Sequence, residues 1–320
     1  MNKHKVIWSA VLVIIVVVIV AFGIKQRPES APQASQVKIG VILPQTGDLS
    51  VTGEKMYNGV RLAAMDLPAN VQLVYEDDHS DVTTGVTVAN KLLSVDKVDF
   101  LVGLYNPDEV KAVDPIAKAA GKEIFTTNFC DSSFRPLGNV FCGYPGAKDQ
   151  LATAIPMIQK RNLKKFALVD SNSSFGIDSR DAMKTIAEQL GAKVVLNDFL
   201  PTSPTRDYHT EALKVMQSGA DTIFTATDDP SDGLTLVKDL YNLGFKGTRI
   251  TFVDTDDKYL SQFGASAEGT FAPGITPSNF APDFTAAYQA KYNVAGDYAG
   301  ALGYDLSGAL RVRSPRIIGM

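Results

Sequence analysis

Residues Val37–Asp66 read VKIGVILPQTGDLSVTGEKMYNGVRLAAMD. Val37–Leu43 is a short, apolar, β-branched run of the kind that forms a strand buried on both faces. Polar and turn-forming residues follow over Gln45–Thr52, and Gly53–Asp66 then reads as a helix. One strand, one polar loop and one helix make a unit, and the question is whether it repeats.

It does. Further strands are expected at Val71–Glu76, Phe100–Leu104 and Ile124–Thr127, with helices at Thr83–Val95 and Glu109–Ala120, the last ended by Gly121. The second half has the same rhythm: strands at Phe166–Val169, Val194–Phe199, Thr222–Thr225 and Ile250–Val253, and helices at Ala147–Lys160, Ile177–Leu190, Asp207–Gln217 and Asp232–Leu243. Met183, Ile186, Ala187 and Leu190 fall at i, i+3, i+4 and i+7, an amphipathic stripe. Such alternation implies parallel sheets with right-handed crossovers. Eight units would also suffice for a single closed barrel. The irregular stretch Asn128–Gly146 at the midpoint favours two open, doubly wound lobes instead.

The N-terminus has a different character. Lys3, His4 and Lys5 precede Val6–Ile24, a run without charge, and charge returns at Lys25 and Arg27. A basic start before an apolar run fits a cleaved secretory signal, and about 20 apolar residues also suffice to span a bilayer. Both readings export the rest of the chain; a buried core helix would need a polar face. Gln26–Gln36, rich in Pro, Ser, Ala and Gln, reads as a tether. The expected organisation is therefore residues 1–25 signal or anchor, 26–36 linker, 37–146 the first part of lobe 1, 147–269 lobe 2, and 270–320 a return to lobe 1.

Composition narrows the function. With 320 residues, 45% of them hydrophobic, the chain has enough apolar surface for two cores. A net charge of −4 argues against nucleic acid as a partner. The phosphate-binding, nucleophile-elbow and zinc-protease motifs are absent, which disfavours an exported α/β enzyme. No cofactor or metal motif is found. His79 lies in the acidic loop Glu76–Asp81, a cation loop on one reading and a solvated turn on the simpler one. The two cysteines, Cys130 and Cys142, flank the loop Asp131–Phe141 and are expected to pair in an oxidising compartment.

In open α/β sheets ligands bind outside the carboxyl ends of the strands. Those ends here are Gln45–Thr52, Tyr105–Asp108, Asn128–Asp131, Ser171–Phe175, Asp228–Asp229 and Asp254–Asp257. Singly, each is an ordinary turn or cap. Together they offer polar loops from both lobes to one cleft.

Val37–Gly53 resembles the opening strand and ligand loop of the bacterial Leu/Ile/Val-type solute-binding proteins, the type I periplasmic binding proteins of ABC importers. Asn58–Ala63, Tyr75–Asp78, Val88–Leu92, Leu101–Gly103, Thr205–Tyr208, Asp221–Ile223, Ala267–Gly269 and Phe284 to Asp305 match in family order. The resemblance implies two Rossmann-like lobes joined by hinge strands, and a receptor that delivers an amino acid or amide-like solute to importer membrane subunits. It implies no catalysis and no cofactor. A membrane-anchored sensor built on the same lobes is the alternative. Carried over position by position, the ligand contacts would be Ser50, Thr52, Asn106, Asp108, Asn128 and Phe129 from the first lobe, with Phe175, Asp228, Asp254 and Asp256 from the second.

The departures from the family pattern shift the expected ligand. Pro107 removes an N–H donor and Asp108 repels a carboxylate, while Asp228-Asp229 stands where aromatic residues are usual. Together they favour a polar, amide-like or cationic solute over a branched-chain amino acid. The tail from Leu306, with Arg311, Arg313, Pro315 and Arg316, reads as a shortened ending to the last lobe and as a source of instability.

Overall fold

The computed structural model describes residues 36–129, 132–134, 136–252, 260–274 and 282–305. The apolar run Val6–Ile24, Cys130, Asp254, Asp256 and the tail from Leu306 lie outside the described residues, as does the side chain of Phe129. Among the described residues no helix is long and apolar enough to cross a membrane.

The first sheet is built from β1 (Val37–Leu43), β2 (Val71–Asp77), β3 (Phe100–Gly103), β4 (Glu123–Phe129) and β5 (Val140–Tyr144), in the order β2-β1-β3-β4-β5. The second holds β6 (Lys165–Asp170), β7 (Lys193–Phe199), β8 (Thr222–Thr225), β9 (Thr248–Thr251) and β10 (Thr270–Phe271), in the order β7-β6-β8-β9-β10. Every pairing is parallel. Both sheets therefore share one strand order, and each reverses direction once: between β1 and β3, and between β6 and β8. Those reversals are the topological switch points where an open sheet leaves a crevice.

Helices cover both faces of each sheet. The first lobe has α1 (Ser50–Ala64), α2 (Val82–Lys91) and α3 (Pro107–Ala119). The second has α4 (Ala147–Leu151), α5 (Ile155–Arg161), α6 (Ser174–Gln189), α7 (His209–Ser218) and α8 (Pro230–Asn242). Burial explains the strand composition. In β1, Ile39 and Val41 pack with Met56 and Val60 of α1 on one side, whereas Ile42 packs with Leu92 and Val113 on the other. A strand apolar on both faces has no alternation to lose, so its sequence is a continuous run.

Three local features depart from the sequence expectation. Asn128–Gly146 contains a strand, β5, whose residues VFCGY are mostly half-buried at the sheet edge. Its pairing with β4 shifts register between Thr126 and Phe129, so a short edge strand there leaves little apolar signal. The helix expected over Ala147–Lys160 is broken by a 3-10 turn at Ala152–Ala154, with Pro156 opening α5. The helix expected to Val95 ends at Lys91 in a π turn, Leu92–Asp96, closed by Lys97 in the left-handed region at φ 57°.

The chain returns to the first lobe after β10. Thr270–Phe271 still pairs with β9 in the second sheet. Beyond it, α9 (Pro282–Tyr292) and helical residues 298–305 pack on α1. Phe284, Tyr288 and Ala301 bury Leu62, and the Tyr292 hydroxyl donates to the Asn58 carbonyl at 2.8 Å.

Candidate functional site

The two switch points bring four loops together. After β1 come Gln45–Leu49 and the start of α1; after β3 come Leu104–Asn106 and the start of α3. The second lobe supplies Ser171–Ser173 before α6, and Ala226–Asp229 before α8. Each loop ends in a helix N-terminus, where unpaired N–H groups and the helix dipole favour acceptors.

Three of the four helices have a side-chain cap written in the sequence, whereas α1 follows Leu49 and has none. Asn106 accepts from the Asp108 N–H at 2.8 Å, Ser173 from the Gly176 N–H at 3.1 Å, and Asp229 from the Ser231 N–H at 2.8 Å. Pro107 and Pro230 each occupy the first helical position, where their missing N–H costs nothing. Pro107 thus starts α3 and removes no donor the helix would have used.

The lobes touch at the rim of this crevice. The Ser174 hydroxyl donates to Asp108 Oδ1, and the Ser174 N–H donates to Asp108 Oδ2 at 3.3 Å. Lys111, one turn into α3, donates to the Ser174 hydroxyl at 2.6 Å. A second bridge joins Arg206 of the second lobe to Asp48 of the first at 3.7 Å. Arg206 sits at φ 49° and also binds Asp229, with its Nε 3.2 Å from Asp232. Its Asp229 contact leads the factors that hold the guanidinium charged.

Other expected residues are placed as follows. Asn128 is 2% exposed; its Nδ2 donates to the Tyr105 carbonyl, and its Oδ1 is buried with no partner among the described residues. Asp228 is half-buried and accepts from the Ser171 hydroxyl at 2.8 Å. Burial pushes its carboxyl up, the serines at 171 and 173 oppose this, and the facing Asp108 adds to it. Ser50 opens α1 and is half-buried, whereas Thr52 lies 1% exposed within the first turn. Phe175 stacks on Phe252 at 5.6 Å against the second-lobe core. Phe129 pairs through its backbone with Tyr144.

Two groups were not singled out from sequence. Lys111 is one lysine in an ordinary helix, and nothing local marks it as a cleft residue. Asp170, at the end of β6, is fully buried, takes the Ala226 N–H at 2.7 Å and so fixes the end of β8 beside it. Burial drives its carboxyl well above the usual range. The acidic loop at the end of β2 is tied to the loop after β1 by hydrogen bonds. Asp77 accepts from Gln45, Thr46 and His79, and among the described residues no three acidic, His or Cys groups converge to hold a metal ion. In β5, Cys142 is disulfide-bonded.

Comparison with known proteins agrees with this architecture. A leucine-binding protein from Thermotoga maritima MSB8 superposes with a TM-score of 0.80 at 22% identity, covering 88% of this chain and 83% of that one. A Rhodopseudomonas palustris solute-binding protein solved with 4-hydroxybenzoate gives a TM-score of 0.75 at 23% identity, covering 87% and 80%. In sequence, a Leu/Ile/Val-binding protein homolog of Brucella abortus (strain 2308) is 25% identical over 293 residues, spanning 82% of this chain and 72% of the relative. The profile of the periplasmic binding protein family matches residues 36–309. The chain belongs to the periplasmic binding protein family.

Proposed function

We propose that the chain is the extracytoplasmic receptor of an ABC importer and closes its two lobes over a small polar solute bearing a nitrogen donor, an amino acid or an amide. The observation that carries this reading is a pair of acceptors on opposite lobes, one a buried amide oxygen and the other a carboxylate that Asp108 of the first lobe faces. Among the described residues Asn128 Oδ1 is buried without a partner, and Asp228 is a half-buried carboxylate that accepts from the serines at 171 and 173. Asn128 lies near the end of β4, one strand beyond the first switch point, and Asp228 follows β8 at the second; both suit an N–H donor. Buried acceptors left unpaired cost free energy, which a bound N–H group recovers. The relatives named for Leu/Ile/Val binding support an amino acid as cargo, and the basic-then-apolar start at Lys3–Ile24 supports export.

A thermal-shift screen with L-leucine, acetamide, urea, putrescine and 4-hydroxybenzoate tests the reading. One nitrogen-bearing probe should raise the midpoint with the logarithm of its concentration above its dissociation constant and be recovered chemically unchanged. Asp228→Ala should then weaken that probe by ~10–100-fold, since hydrogen bonds to charged groups contribute about 1.5–3 kcal/mol. A response to 4-hydroxybenzoate alone would overturn the nitrogen-donor reading.

A further inference from the structure

A second polar centre lies beneath the first-lobe ligand loops. Asp78 and Glu109, each about 2% exposed, line with Asp81, Ser80, Tyr105 and Asn106 a small cavity of about 10 Å³. That volume is at the lower limit for one water molecule.

Glu109 is the fourth residue of Asn106-Pro107-Asp108-Glu109, and its carboxyl takes the Asn106 N–H, completing a capping box. This uses one oxygen. The other, Oε1, is buried with no partner among the described residues, and it lies so close to α2 that a Cβ on Gly85 would sit 1.9 Å from it. The groups facing Glu109 are Asp78 and Asp81, the N-cap of α2. Those facing Asp78 are Asp77, Asp81 and His79, whose ring is 60% exposed and 3.5 Å from Asp77. Among the described residues no lysine or arginine is one of the charges that act on the pair. Two buried carboxylates lining one small cavity repel unless the pair keeps a proton, and an unpaired oxygen is where such a proton would bond.

Both acids also hold the ligand loops. Asp78 Oδ1 accepts from the Ser80 N–H at 2.7 Å; the Ser80 hydroxyl donates to the Thr46 carbonyl at 2.8 Å and accepts from the Leu49 N–H at 3.0 Å. Glu109 caps the helix whose first residues include Asp108.

We propose that Asp78 and Glu109 share one proton beneath the ligand loops, and that its loss as pH rises loosens those loops and weakens solute binding. The effect on affinity rests on the solute site proposed above; the proton does not. Burial, opposed by the Ser80 N–H, pushes Asp78 up to about 6. Burial, together with the charge of Asp78, drives Glu109 well above the carboxylate range. An acid raised on folding holds a proton that the unfolded chain releases. Stability therefore falls as pH rises from about 4, through the folded values.

The test begins with ligand-free protein. At pH 7 the wild type should show the infrared band of a protonated carboxyl, and Glu109→Gln should diminish it. The wild-type unfolding midpoint should fall between pH 4 and 8, and the variant's should fall less. Amide exchange at Leu49 and Asp108 should be faster at pH 8 in wild type than in Glu109→Gln. Asp78→Asn, which keeps the acceptor for Ser80, serves if the first variant does not fold. With whichever probe binds, affinity should drop roughly 5-fold or more from pH 5 to 8 in wild type, within the usual range of coupling between sites, and should stay flat in the variant. Absence of the infrared band, or equal pH slopes in wild type and variant, would overturn the shared proton. A confirmed proton with no probe bound would count against the solute reading alone.

Discussion

Asp108 and Ser174 stand on different lobes, 66 residues apart in the chain, and the Ser174 N–H donates to the Asp108 carboxylate at 3.3 Å. Ser174 is the first residue of α6, so the carboxylate of one lobe meets the helix N-terminus of the other. That is a favourable place for a negative charge. Lys111 reaches the same hydroxyl from one turn along α3. The contact is therefore a three-residue pin across the rim of the crevice, and hinge closure would make and break it.

Removing the pin should open the molecule. Asp108→Ala should weaken solute binding by ~5–30-fold, corresponding to about 1–2 kcal/mol for charge-assisted hydrogen bonds at a partly wet rim. Small-angle scattering should show a larger radius of gyration without ligand, converging on the wild-type value at saturation. The second bridge is weaker by its geometry. Asp48 is 71% exposed and Arg206 39%, so Asp48→Ala should change affinity by less than about 5-fold, with no effect at high salt. Equal effects from the two variants would refute this ranking.

The parts that were legible in sequence are those fixed by burial. β1, β3 and β8 are buried on both faces, and their runs locate them to within a residue or two. The strand-end loops were legible for a topological reason: parallel order places every carboxyl end on one side. The parts that were not legible depend on partners distant in sequence. β5 is a strand only through β4, and Lys111 is a cleft residue only because α6 starts opposite it. Glu109 is intermediate. Asn106 followed three residues later by a glutamate is a capping-box signal, but the second acid beneath it, Asp78, becomes its neighbour only through the fold.

Asp77 should make the ligand loop sensitive to acid. Burial alone would raise its carboxyl, but the N–H of His79, the hydroxyl of Thr46 and the N–H of Gln45 outweigh it and hold the group below the usual range. An acid depressed on folding contributes stability above its unfolded value, near 4, and loses it as pH falls through the folded value. Asp77→Ala should therefore cost about 1.5–3 kcal/mol at pH 7. The difference from wild type in urea midpoint should shrink steadily below pH 4. A difference that persisted unchanged to pH 2.5 would mean that packing, not charge, holds the loop.

Gly59 should be intolerant of even a methyl group. A Cβ there would sit 2.0 Å from the Gly300 carbonyl oxygen, where α1 meets helical residues 298–305. Neither atom belongs to a flexible side chain, so one helix must move. Gly59→Ala should destabilise by about 1–3 kcal/mol, as overpacking usually does, although alanine is the better helix former by about 1 kcal/mol. Calorimetry would give a lower midpoint, and pairing with Gly303→Ala should show a non-additive cost because both act on the same helix contact. A midpoint at or above wild type would show that the two helices are not held this close.

The disulfide should matter more for stability than for affinity. Cys142 is disulfide-bonded within β5, and with two cysteines in the chain the expected partner is Cys130, beyond the end of β4. Such a bond closes the short loop Asp131–Phe141, which constrains the unfolded chain by roughly 2–3 kcal/mol in the loop-entropy account. It also ties down the edge strand β5, whose register against β4 already shifts once. Asn128 is held independently, by its own bonds to Thr126 and Tyr105. Cys130→Ser with Cys142→Ser should therefore lower the unfolding free energy by that amount, while solute affinity changes by less than ~5-fold, since a binding change of 1 kcal/mol or more would require Asn128 to move. Alkylation of the native, oxidised protein should modify no thiol. Two modified thiols, or a large affinity loss without a stability loss, would show that the bond is absent or that its role is to position Asn128.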